Sequence, residues 1–334
     1  MGTCGKKFFA VSPLLSEDIG EDILFKKKFF VYSLLTLVIA VILGITGASV
    51  YLYYFAFEPQ KPLNSGMASK KKIRLKRDKK WLAETKQQLW TEESAGQNLK
   101  LKAAYLPAAR ATDKTIIVAH GYQEDHMQMA SYMRMFHKMG YNVLAPDDRG
   151  AGKSQGKYIG FGWPDRLDYV KWIRQVIRKN GVRSQIGLFG VSMGGATVMM
   201  TSGEHLPQQV KAIVEDSGYS SIEDELAYEL KQRFKMPKQP LITTASWFTE
   251  AKAGFDFKRG SSVKQLKKNQ LPIFFIHGGA DKFVPTKMVY QNYRATLAPK
   301  KIWVVPETSH AMAYYEYPKT YEQRVGTFFR SWLK

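Results

Sequence analysis

Ile186-Gly187-Leu188-Phe189-Gly190-Val191-Ser192-Met193-Gly194-Gly195-Ala196-Thr197-Val198-Met199-Met200 is the stretch whose reading decides the fold. An apolar, strand-like run leads into a serine flanked by glycines, and a helix-like run leads out. Strand, G-x-S-x-G, helix is the setting in which a serine hydroxyl stands exposed above a sheet as a nucleophile. Gly190 and Gly194 suit it because the turn is too sharp for bulky neighbours and the strand and helix must approach closely. The helix that follows aims its free N–H groups at the same spot. The bare pattern also describes an ordinary glycine-rich turn, so the rest of the chain must decide.

Working outward, short apolar runs alternate with segments of helical period. Residues 114–119, 141–145, 186–189, 210–214, 271–276 and 301–305 read as strands. Residues 132–139, the face formed by Leu167, Val170, Ile173 and Ile177, and a last segment holding Val325, Phe328, Phe329 and Trp332 read as helices. Ahead of them, 88–93 and 99–106 read as a hairpin around Gly96-Gln97-Asn98. Near-continuous apolar strands imply a mostly parallel sheet covered by helices on both faces, an α/β architecture. Sheets of this kind place their sites beyond the carboxyl ends of the strands. Standing there, strand by strand, are His120-Gly121-Tyr122, then Asp147-Asp148-Arg149-Gly150, Ser192, Glu215-Asp216-Ser217-Gly218, Asp281 at the end of His277-Gly278-Gly279-Ala280-Asp281, and Ser309-His310. A nucleophile, an acid and a base thus fall at strand ends in the order Ser, Asp, His.

With these motifs the chain resembles the α/β-hydrolases, in the serine esterase and peptidase-like branch that includes membrane-anchored cell-surface hydrolases of Gram-positive bacteria. The resemblance spans roughly residues 81–334. It rests on the His120-Gly121 loop, D-x-R-G-x-G-x-S from Asp147 to Ser154, G-x-S-x-G-G, the G-x-x-D ending at Asp281 before Val284-Pro285, and Ser309-His310. It implies an acyl-serine mechanism in which His310 takes the Ser192 proton as base and later acts as acid. Asp281 would hold the imidazole in the required tautomer. The backbone N–H groups of Tyr122 and Met193 are implied as the oxyanion donors. Asp216 stays open as a rival acid, since some hydrolases draw it from the earlier strand. His120 and His277 read as hydrogen-bonders beside their turns, and Asp148 and Arg149 as an ion pair ordering their loop. Without G-x-x-x-x-G-K-[ST], that loop does not read as a nucleotide site. The lone cysteine, Cys4, excludes an internal disulfide and a cysteine-based zinc site. No metal or organic cofactor is required.

Ahead of this region, residues 1–28 read as a short cytoplasmic tail ending in Lys26-Lys27-Lys28. Residues 29–57 carry no charge, which makes 29 residues, against the ~20 that cross a bilayer as a helix. Tyr51, Tyr53, Tyr54, Phe55 and Phe57 crowd the far end, as an interfacial aromatic belt does. The stretch exceeds the about 7–15 apolar residues of a signal peptide and shows no A-x-A-like cleavage site, so it reads as an uncleaved transmembrane anchor. Lys6 stands where myristoylation needs Ser or Thr. Lysines flank both ends of the span. Lys26 to Lys28 argue for a cytoplasmic N-terminus and an extracytoplasmic domain. Residues 58–80 read as a basic stalk or linker whose 70–80 run suits anionic headgroups or wall polymer. The formal charge of +21 favours anionic surroundings in general. No zinc-finger, RRM or helix-turn-helix signature accompanies it, so nucleic acid is not expected.

Residues 219–262 interrupt the alternation where this fold usually carries a lid, here a short one. Trp247, Phe248, Phe255 and Phe257 either line an acyl pocket or pack the lid onto the sheet. The expectation is hydrolysis of a carboxylic ester, an amide or a thioester. The alternatives are acyl transfer on the same three residues, and a membrane-tethered binding module that kept the fold and lost the reaction. Intact Ser192, Asp281 and His310 argue against the last.

Overall fold

Val118 and its neighbours Ile117 and Ile116 show why the strands read as unbroken apolar runs. Alternate residues enter different cores, Ile116 and Val118 with Phe136, Phe189 and Phe329, and Ile117 with Tyr169, Trp172 and Phe275. Both faces of the sheet are therefore dry, as in parallel sheets generally. The computed structural model describes residues 1–2, 5, 14–59 and 68–334. Cys4, Lys6 and the 60–67 part of the expected stalk lie outside them.

The sheet contains β1 (Gln88–Glu93), β2 (Lys100–Leu106), β3 (Lys114–Ala119), β4 (Asn142–Pro146), β5 (Gln185–Val191), β6 (Val210–Asp216), β7 (Ile273–Gly278) and β8 (Lys300–Val305). Its order is β1-β2-β4-β3-β5-β6-β7-β8. β1 and β2 form the expected antiparallel hairpin, β2 runs antiparallel to β4, and every other pairing is parallel. The helices, in chain order, are α1 (Leu14–Phe57), α2 (Ser69–Glu84), α3 (Ala130–Lys138), α4 (Asp165–Asn180), α5 (Met193–Thr201), α6 (Ile222–Glu229), α7 (Leu241–Ala253), α8 (Ser262–Leu266), α9 (Lys287–Ala295), α10 (Ala313–Glu316) and α11 (Pro318–Trp332). Side chains of α3, α10 and α11 fill one core, and those of α4, α5 and α9 fill the other.

α1 contains a run long and apolar enough to cross a membrane, Ile23–Phe57, a property it shares with signal sequences. From Ile23 to Gly44 every residue is exposed. From Ile45 onward a helical stripe turns inward through Ser49, Leu52, Tyr53, Ala56 and Phe57 and packs on α7. The uncharged segment thus has two environments.

The basic run corrects the sequence reading. Residues 58–80 were expected as a basic stalk or linker, but Ser69–Glu84 is helix α2, packed on α3 and α10 with Leu75, Asp78 and Leu82 buried. The pairing of its charges explains the difference. Arg74 bonds Glu322 at 3.1 Å and lies over the Tyr314 ring at 4.1 Å, while Arg77 and Arg134 clamp the buried Asp78 at 2.9 and 2.6 Å. Those hydrogen bonds overcome the burial that would raise its pKa and hold the Asp78 carboxyl below its ordinary range. The folded region therefore begins before residue 81.

Candidate active site

At the end of β5 the chain turns into α5 through Ser192, whose backbone sits at φ 57° and ψ −119°. That conformation is costly for a residue with a side chain and is held by its surroundings. The flanking glycines explain how. A Cβ on Gly190 would lie 2.1 Å from the Gly194 carbonyl oxygen, and one on Gly194 would lie 2.2 Å from that of Ala119. Backbone fills the space on both sides, so only glycine permits β3, β5 and α5 to close around the serine.

Ser192, Asp281 and His310 are brought together. His310 Nε2 is 2.8 Å from Ser192 Oγ, and His310 Nδ1 is 2.7 Å from Asp281 Oδ2. The other carboxylate oxygen of Asp281 accepts the N–H groups of Phe283 and Val284, both at 2.9 Å. His277 Nε2 approaches Oδ2 at 3.3 Å and also lies 2.9 Å from the Val284 carbonyl. Burial would raise the Asp281 pKa, but hydrogen bonds from His277 and His310 override it and hold the carboxyl well below its usual range. Asp281 is thus a fixed anion facing an imidazole whose far nitrogen meets an alcohol.

The rival acid lies elsewhere. Asp216 accepts hydrogen bonds from Tyr321 and Ser217 at 2.8 and 2.9 Å, and the Ser217 hydroxyl in turn accepts the Ala311 N–H. It orders the loop behind His310 without a hydrogen bond to that ring. His120 is fixed by its neighbours: Nδ1 is 2.8 Å from the Gly121 carbonyl, and Nε2 accepts the Asp148 N–H at 3.0 Å. The expected Asp148–Arg149 pair does not form. Arg149 instead grips buried Asp168 through two bonds of 2.7 and 2.9 Å, while Asp148 accepts from Tyr169.

Met193 opens α5, so its N–H has no acceptor within the helix. Tyr122 follows Gly121, which lies against the serine: a Cβ on Gly121 would sit 3.7 Å from Ser192 Cβ. The Tyr122 hydroxyl donates to the carbonyl of Ala56, near the end of α1, at 2.8 Å.

Two cavities meet at Ser192. One, of about 360 Å³, is almost wholly apolar and reaches under the lid and along α1. The other, of about 200 Å³, opens past His310 toward Gln128, Glu124 and Lys71. The lid comprises α6, a π-helical turn over Leu230–Phe234, α7 and a 3-10 turn. Of the four lid aromatics, Phe257 lines the apolar cavity. Phe248 packs on Tyr53, and Phe255 on Tyr158 and Phe57. Trp247 does neither and is 63% exposed. The sequence reading missed the contribution of α1 and that of Glu225. The Glu225 carboxyl lines the apolar cavity with no protein hydrogen bond to either oxygen. Burial pushes its pKa well up, which favours the neutral carboxyl at this point of the wall. Among the described residues no cluster of His, Cys, Asp and Glu is arranged to hold a metal ion.

Known proteins are similar to this chain in sequence and in fold. The family model described as serine aminopeptidase, S33, matches residues 110–259. The Bacillus subtilis protein YqkD, itself uncharacterized, is 29% identical over 224 residues, which is 67% of this chain and 73% of the relative. An esterase of Pyrococcus furiosus superposes with a TM-score of 0.61 at 23% identity, covering 82% of this chain and all of that one. An acylaminoacyl peptidase of Pyrococcus horikoshii superposes with a TM-score of 0.54 at 18% identity, over 76% of this chain and 43% of that one. The fold is that of the α/β-hydrolases, and the family match over residues 110–259 is to serine hydrolases.

Proposed function

We propose that this α/β-hydrolase cleaves a carboxylic ester through an acyl-serine intermediate, with Ser192 as nucleophile, His310 as base and then acid, and Asp281 as the orienting carboxylate. The observation that carries the reading is the His310 imidazole bridging Ser192 and Asp281 at 2.8 and 2.7 Å beside an apolar cavity. Ser192 Oγ attacks the carbonyl carbon as its proton passes to His310 Nε2. The oxyanion is met by the N–H groups of Met193 and Tyr122. Collapse of the tetrahedral adduct expels the alcohol, which takes the proton from His310, and water then repeats the sequence on the acyl-enzyme. The apolar cavity favours an acyl chain, and the polar cavity past His310 favours the leaving alcohol. An amide- or thioester-cleaving enzyme would use the same steps. α1 holds the enzyme in the membrane, with the domain extracytoplasmic at the cell surface and the exposed lysines of α2 toward anionic headgroups or wall polymer.

The test is fluorophosphonate labelling of the full chain in detergent, followed by turnover of p-nitrophenyl esters and amino-acid p-nitroanilides. Labelling that Ser192→Ala abolishes and Ser154→Ala retains, with esters turned over faster than anilides, is the expected result. Unlabelled native chain would sink the reaction, and faster anilide turnover would make it a peptidase.

A further inference from the structure

We infer that the last turns of α1 form a wall of the substrate site, so that the helix which reads as an anchor also selects the acyl chain, and that this chain comes from the lipid phase. The inference rests on the ester-cleaving reading of Ser192 and on α1 as the membrane span.

Leu52, Phe55, Ala56 and Phe57 line the same apolar cavity as Ser192 and Met193. They do so as built parts of the domain. Phe57 is 2% exposed and packs on Phe161 and Phe257 at ring distances of 5.0 and 5.6 Å. Phe55 meets Phe234 of the π-helical turn at 5.5 Å. Ser49 shares a hydrogen bond with Thr244 of α7. The final carbonyls of a helix lack intrahelical partners. Here the Ala56 carbonyl accepts the Tyr122 hydroxyl at 2.8 Å, and the Phe57 carbonyl accepts the Ile159 N–H at 2.7 Å. The end of α1 is therefore bonded to the residue whose N–H is proposed to meet the oxyanion.

Helix length then sets the depth of the site. At 1.5 Å per residue, the exposed uncharged part from Phe29 to Gly44 is ~24 Å long, against a hydrocarbon core of ~30 Å. The core must extend about four residues further, to Ala48, within the stretch of α1 that packs on the domain from Ile45 onward. Leu52 then lies ~6 Å beyond the hydrocarbon edge, within the headgroup layer. Trp247, 63% exposed on α7, has the amphipathic ring suited to that layer. An apolar cavity walled by the emerging span admits the acyl tail of a membrane amphiphile without carrying it through water. Its volume, about 360 Å³, is near the lower end of ligand pockets and suits one chain rather than a branched or fused-ring group.

The experiment uses the full chain in detergent micelles and measures the ratio of kcat/KM for p-nitrophenyl decanoate to that for p-nitrophenyl acetate. Leu52→Trp, which fills the wall, is expected to lower the ratio about tenfold. Phe55→Ala, a smaller change at a residue 38% exposed, is expected to raise it and guards against misfolding of the first variant. Leu37→Trp, 61% exposed on the same helix away from the cavity, is expected to leave it unchanged. A native chain that labels with fluorophosphonate while both wall variants keep the native ratio would overturn the inference and leave the reaction standing. A native chain that does not label overturns the reaction itself. In vesicles carrying a decanoyl ester lipid, hydrolysis no faster than that of the same ester in micelles would refute the lipid-phase source.

Discussion

Replacing Asp281 by asparagine separates the orienting role of this carboxylate from its role in the fold. The amide oxygen of the new side chain can still accept the N–H groups of Phe283 and Val284, which now meet Asp281 Oδ1 at 2.9 Å. The NH₂ must then take the place of Oδ2, which faces His310 Nδ1 at 2.7 Å and His277 Nε2 at 3.3 Å. An N–H donor facing Nδ1 selects the imidazole tautomer with its proton on Nε2, and that proton points at Ser192 Oγ. The ring can no longer accept the serine proton. A comparable acid-to-amide change in a serine protease lowers kcat about 10⁴-fold, equivalent to about 5.4 kcal/mol of transition-state stabilisation. The same loss is expected here in kcat for p-nitrophenyl acetate, measured on the full chain, with slow fluorophosphonate labelling remaining. Asp216→Asn provides the contrast. That carboxyl bonds Tyr321 and Ser217, so its replacement should lower thermal stability and cost activity less than tenfold. If Asp281→Asn kept activity within tenfold of the parent, or if Asp216→Asn proved the more damaging, the assignment of the acid would be wrong.

Arg149→Leu should destabilise the fold by about 3–5 kcal/mol, because it leaves the buried Asp168 carboxylate without its partner. A thermal-shift comparison showing less than about 1 kcal/mol would refute this account of the pair. Glu215 gives a pH-dependent expectation. Burial raises its pKa from 4.5 to about 8, only partly offset by His277 and by the Gly218 N–H. The folded chain therefore keeps a proton that the unfolded chain has released between those values, so this group's stabilising contribution is complete below pH 4.5 and is lost as pH rises toward 8. Glu215→Gln keeps the Gly218 acceptor and removes the titration. Its melting temperature should gain on the parent from pH 5 to pH 8, by up to about 1.4 kcal/mol of stability per pH unit, and parallel curves over that range would contradict the assignment.

What could be read from the sequence depended on whether the deciding physics was local. The Ser192 turn was legible because its steric demand falls on residues two positions away, Gly190 and Gly194. The convergence of Ser192, Asp281 and His310 was legible because apolar strands of a parallel sheet all deliver their following loops to one edge, whatever their distance in the chain. α2 was not legible in the same way. Its inward stripe of Leu75, Asp78 and Leu82 is interrupted by a charge that is met by Arg74 and Arg77 of the same helix and by Arg134 of α3, and no periodicity of one segment announces a partner supplied by another. α1 was hidden for the opposite reason. Every residue from Phe29 to Phe57 is uncharged and most are apolar, so hydrophobicity carries no period there, although Tyr53 and Phe57 face the domain while Tyr51 and Tyr54 face outward. The available signal lay in Ala48-Ser49, small residues that permit close packing, followed by aromatics on every side of the helix. A membrane helix ending in a uniform aromatic belt meets one solvent. Here the aromatics divide, Tyr51 and Tyr54 being exposed while Phe55 and Phe57 line the apolar cavity beside Ser192, and under the proposed reading that division makes the anchor part of the binding site.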